Sequence, residues 1–91
     1  MTTPLQRRAG HPTGGIVDGA QIRAARAMLK MRRNDLAERA GLHPNAVKYW
    51  EARRVPNNER PYAVACIAYA LRQGGVEAFS DPAPGVRFVP G

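Results

Sequence analysis

The sequence predicts an all-α domain of four short helices closed by a short C-terminal β-hairpin, and three observations lead there. Apolar residues recur at helical spacing in successive segments between about residues 19 and 73, and Gly, Pro and Asn breakers separate those segments. After Gly74-Gly75 the pattern changes to two short apolar runs around a turn-forming stretch. The chain has 91 residues, 44% of them hydrophobic and 23% charged, which is room for one modest core and no second one.

Taken in order, Met1 to Val17 reads as a flexible basic arm, because Pro4, Gly10, Pro12, Gly14 and Gly15 interrupt any periodic pattern. Asp18 announces the first helix: its carboxylate can cap, and Gln21 three residues on completes a capping-box-like pair. Ile22, Ala25, Met28 and Leu29 line one face, so the helix should run from about Gly19 to Lys30. A second helix over about Arg33 to Ala40 buries Leu36, Ala37 and Ala40 and stops at Gly41, which accepts a left-handed conformation. His43-Pro44 opens a third, to about Arg53, since proline suits a first helical turn. Asn58 is the candidate cap of a fourth, from Glu59 to about Gln73, with Pro61 in its first turn. Val76 to Phe79 and Val86 to Val89 then form the hairpin around Ser80-Asp81-Pro82-Ala83-Pro84-Gly85.

Composition narrows the function classes. No apolar stretch approaches the roughly 20 residues needed to cross a bilayer, and the first residues lack the apolar centre of a secretory signal, so a cytoplasmic, nucleoid-associated location is expected, without membrane partners. Cys66 is the single cysteine and sits in the apolar run Ala-Val-Ala-Cys-Ile-Ala-Tyr-Ala, where a buried structural thiol is expected rather than a nucleophile. His11 and His43 stand far apart, so no zinc-ligand spacing, catalytic set or cofactor site is predicted. Too few residues follow the fourth helix to build a small-molecule pocket. Fourteen Lys and Arg against seven Asp and Glu give a net charge of +7. Most of that excess lies between Arg23 and Arg60, where ten basic residues face four acidic ones. Such a balance on a small domain favours a polyanionic partner, most simply nucleic acid.

The relation between the second and third helices sharpens this. Ala37, Gly41, Val47 and Trp50 recur at spacings of four, six and three. Two helices crossing steeply over a short turn need those types: a small residue at the close approach, a positive-φ residue in the turn, and apolar residues on the inner face of the second helix. The outer face of the third helix then offers Asn45, Lys48, Tyr49 and Ala46 to bases, with Arg53 and Arg54 at its end for phosphates. By the same helical spacing, Trp50, Tyr62 and Tyr69 are assigned to core positions.

The string IRAARAMLKMRRNDLAERAGLHPNAVKYWE, Ile22 to Glu51, resembles the phage-repressor and Cro-like helix-turn-helix proteins, the Xre family, with the fourth helix extending the likeness to about Leu71. The resemblance implies a lambda-repressor-like domain whose third helix enters the major groove of double-stranded DNA while the second lies across the backbone. Carried over by position, base reading falls on Pro44, Asn45, Ala46, Lys48 and Tyr49. Phosphate contact falls on Arg32, Arg33, Asn34 and His43, besides Arg53 and Arg54. The resemblance also implies a structural ion pair between Arg26 and Glu51. His43, Pro44 and Trp50 depart from the family's usual residues, which leaves direct readout mainly to Asn45, Lys48 and Tyr49.

The expected function is a sequence-specific transcriptional regulator, most simply a repressor that reads a palindromic operator as a homodimer. The fourth helix is apolar on two sides and wants a second partner, either the hairpin folding back or a second subunit. Arg7 and Arg8 of the arm are candidates for a minor-groove contact. The alternative from another class is an antitoxin-like or phage-derived adaptor that binds another protein through the fourth helix and the hairpin.

Overall fold

The first three helices start where local side chains satisfy orphan backbone groups. The computed structural model describes residues 13–56 and 61–90. Among these, four helices precede one antiparallel hairpin: α1 (Gly19–Leu29), α2 (Arg33–Ala40), α3 (Pro44–Glu51), α4 (Tyr62–Gln73), β1 (Val76–Phe79) and β2 (Gly85–Phe88).

At the start of α1 the Asp18 carboxylate accepts from the Ala20 amide at 2.8 Å, and Gln21 Oε1 accepts from the Asp18 amide at 3.0 Å. Lys30 ends the helix in the left-handed region with φ 53°. Asp35 reaches back to the Arg32 amide at 3.0 Å to open α2, and Gly41 closes it with φ 72°. There the Leu42 amide donates to the Ala37 carbonyl at 2.8 Å and points the chain toward α3. His43 caps α3, its Nδ1 accepting from the Asn45 amide at 3.1 Å.

Ile22 and Ala25 of α1, Leu36 and Ala37 of α2, Val47 of α3, Val64, Ile67 and Leu71 of α4 and Val76 of β1 form one buried core. In the hairpin Val76 stands opposite Phe88 and Ala78 opposite Val86. Val76 is buried in the core, and Ala78 and Val86 pack partly against it. The hairpin folds back within its own chain onto α1, and β1 also contacts α4. This supplies the support that an isolated two-stranded ribbon lacks.

Several expectations are corrected. Residues 13–17 of the predicted arm are part of the fold. Ile16 is fully buried, and the Val55 amide donates to the Val17 carbonyl at 3.0 Å. Burying that side chain contributes about 1.5–3 kcal/mol, and the hydrogen bonds of Gln21 to Gly15 and Val17 add to it. The rest of the arm, including Arg7, Arg8 and His11, lies outside the described residues, as does Asn58. Pro61 precedes α4 instead of entering it, with an extended ψ of 122°. Helix α3 stops at Glu51, short of Arg53, because the Arg53 carbonyl turns away to accept from the Gly19 amide at 2.9 Å. Tyr62 and Tyr69 are not core: they are 80% and 50% exposed. Their spacing carries them along the outer side of α4, while Val64, Ile67 and Leu71 face inward. Cys66, on the same outer strip, is half-buried rather than enclosed.

Two polar anchors fix these elements. Gln21 is 4% exposed and spends its whole amide on backbone. Its Oε1 accepts from the Val17 amide at 2.6 Å as well as from Asp18. Its Nε2 lies 2.8 Å from the Phe79 carbonyl and 3.1 Å from those of Gly15 and Gly85. Gly19 is the second anchor, set directly against the carbonyl end of α3. A methyl group there would run into the Trp50 and Glu51 carbonyl oxygens.

Candidate nucleic-acid interface

Gly41, Leu42 and His43 alone connect α2 to α3, so the two helices meet over a tight turn. The inward side of α3 is apolar: Val47 is buried and Trp50 packs partly against the core. Its outward side carries Asn45, Lys48 and Tyr49, all exposed. Pro44 and Ala46, also assigned to base reading, are half-buried and offer less surface. Lys48 makes no ion pair among the described residues, so its charge is available to an outside anion.

Behind this face a single residue, Glu51, gathers three arginines, two on its carboxylate and one on its backbone carbonyl. Glu51 is 2% exposed and takes Arg26 at 2.6 Å through Nε and at 3.3 Å through Nη2. Arg33 donates its Nε to the other face of the same carboxylate, at 3.1 Å from Oε1. Arg23 donates to the Glu51 carbonyl. A buried carboxylate demands such partners, because removing one partner of a buried pair costs about 3–5 kcal/mol. The resemblance assigns Arg33 to phosphate. In the structure its Nε is committed to Glu51, its side chain is 41% exposed, and only the outer part of its guanidinium can reach a ligand. Two like charges around one carboxylate leave this corner net positive.

At the far end of α3, Arg53 folds back on the helix. Its Nε donates to the Tyr49 carbonyl at 2.7 Å, and its Cζ sits 3.3 Å from the centroid of the Tyr49 ring. That ring meets Trp50 edge to face at 5.1 Å. Arg54 is 89% exposed and stands 3.7 Å from Asp18, a weak surface pair. Arg32 is likewise exposed and only 3.8 Å from Asp35, and Asn34 beside it is exposed.

The structure therefore brings Asn45, Lys48, Tyr49 and Arg53 onto one helix and its exit, with Arg32 and Asn34 at the start of α2. Arg23 was missed as part of the Glu51 cluster. Its spacing of three from Arg26, which puts both on one side of α1, was the available signal. The Tyr49–Arg53 stack was also missed, although a spacing of four on a helix was its signal. Among the described residues there is no group of His, Cys, Asp and Glu that could hold a metal ion. Nor is any helix among the described residues long and apolar enough to cross a membrane. Comparison with protein-family models and with curated proteins found no match.

Proposed function

We propose that the protein is a helix-turn-helix regulator of transcription that binds double-stranded DNA with sequence specificity, most simply a repressor reading a palindromic operator as a homodimer. One observation carries this reading. Helix α3 is anchored by Val47 and Trp50 on one side and presents Asn45 and Lys48 to solvent on the other, flanked by arginines and preceded by a tight turn at Gly41. Its outer face suits a major groove, where an asparagine pairs with adenine and a lysine with guanine. The net charge of +7 supplies the sequence-independent part of the affinity. The protein is read as cytoplasmic, with no cofactor and no catalytic role.

Selection of bound duplexes from a random DNA library, followed by titration of the winner and a scrambled duplex at two salt concentrations, tests this. The expected result is a palindromic consensus bound about a thousandfold more tightly than the scramble. Asn45→Ala should relax the preference at one base pair, by about 1–3 kcal/mol of discrimination. Binding that depends on salt but ignores sequence would end the regulator reading.

A second reading has one observation in its favour. Tyr62, Tyr69 and Phe88 are large and exposed on α4 and the hairpin, which suits an adaptor that captures another protein. Sequence-blind DNA binding together with loss of partner capture on changing Tyr62 and Tyr69 would favour it.

A further inference from the structure

We infer that Tyr49 is a positioning residue: it holds the Arg53 guanidinium at the exit of α3 as a clamp for one phosphate oxygen, and does not itself read a base. The inference rests on the DNA-binding reading above and changes the role of one residue within it.

A chain of contacts runs from the core to this guanidinium. Trp50 packs partly against the core, and the Tyr49 ring stands on it at an interplanar angle of 81°. Arg53 lies over that ring, with its Cζ 3.3 Å from the centroid. The Arg53 backbone is fixed as well, its carbonyl accepting from the Gly19 amide at 2.9 Å. Its Nε is spent on the Tyr49 carbonyl at 2.7 Å. Among the described residues, nothing bonds the two terminal NH2 groups. An arginine held this way presents the flat, two-pronged donor edge that fits a phosphate, with its side-chain entropy already surrendered in the free protein. Arg54 and Lys48 next to it keep the local field positive.

The same geometry argues against Tyr49 as a reader. Arg53 covers one face of its ring, so that face is closed to stacking on a base. The hydroxyl is the one side-chain group of Tyr49 that can hydrogen-bond a base edge. A phenylalanine in its place would keep the stack and lose the hydroxyl, which separates the two roles.

The test compares wild type with Tyr49→Phe, Tyr49→Leu, Arg53→Lys, Arg53→Gln and the double variant Tyr49→Leu with Arg53→Gln. Each is titrated with the selected duplex and with a scrambled one between about 50 and 200 mM salt. Tyr49→Phe should match wild type on both duplexes and keep its base preference. Tyr49→Leu and Arg53→Lys should each weaken both duplexes alike, by roughly two- to fivefold, the value of a cation over an aromatic face. Arg53→Gln should lower the slope of log K against log salt by about 0.9, one phosphate contact. The double variant should be no weaker than Arg53→Gln alone. Thermal melts run alongside, and Arg53→Lys, which leaves Tyr49 on Trp50, carries the comparison if Tyr49→Leu melts early. A changed base preference in Tyr49→Phe, or an unchanged salt slope in Arg53→Gln, overturns the inference while the DNA-binding reading stands. A wild type that binds neither duplex at the lowest salt overturns both.

Discussion

Gln21 is the clearest case of a residue whose sequence signal told only half of its role. Its place three positions after Asp18 marked it as a capping partner, and its Oε1 does accept from the Asp18 amide. The other end of the same amide donates to carbonyls 58 and 64 residues away, a link that no local spacing can announce. Removing it would take one hydrogen bond each from the Val17 amide and the Phe79 and Gly85 carbonyls, all in a part-buried setting. We expect Gln21→Leu, close in size but unable to bond, to lower stability by about 2–4 kcal/mol, each such kcal/mol shifting the thermal midpoint by roughly 4–8 °C. A melt within a degree or two of wild type would show that water takes over those bonds. Glu51 makes the related point for charge. Its partnership with Arg26 came from resemblance alone, and the arrival of Arg23 and Arg33 at the same residue depends on how α1, α2 and α3 meet.

At the scale of elements, start and stop signals were the legible part. Asp18, Gly41 and Pro44 mark the beginning of α1, the end of α2 and the beginning of α3, because caps and left-handed turns are properties of a few neighbouring residues. What was not legible depends on tertiary context. Ile16 follows two glycines in a stretch full of breakers and has no period to betray it, yet it is a core residue. Tyr62 and Tyr69 share helical spacing with core positions, and only the packing of α4 decides which strip turns inward. The exposed strip has local consequences too, since a hydrogen bond to the Cys66 thiol raises the Tyr62 phenol above its ordinary pKa. Where α1 abuts α3, propensity and packing pull in opposite directions. Alanine is favoured over glycine within a helix by about 1 kcal/mol, but at Gly19 its methyl would meet two backbone carbonyls that cannot retreat. We therefore expect Gly19→Ala to destabilise by about 2 kcal/mol or more in urea titration. A stabilised variant would mean that the ends of α1 and α3 slide apart freely.

For the whole molecule, the net charge of +7 disfavours self-association except through a neutral surface, and α4 from Tyr62 to Leu71 carries no charged residue. In the proposed homodimer this strip is the natural seam, with Cys66 between the two tyrosines. Tyr62→Glu combined with Tyr69→Glu should then give a monomer by light scattering and lower operator affinity about a hundredfold through loss of the linked second half-site. A variant that stays dimeric would move the seam elsewhere. Gln21, finally, bears on how the chain is made. An α1 that emerges before the hairpin offers the Gln21 Nε2 only the local Gly15 carbonyl, until Phe79 and Gly85 have been added. Closing so wide a loop is slow relative to forming any one helix. The hairpin is thus what locks α1, and a nascent chain arrested before β2 keeps its helical segments without a sealed interior.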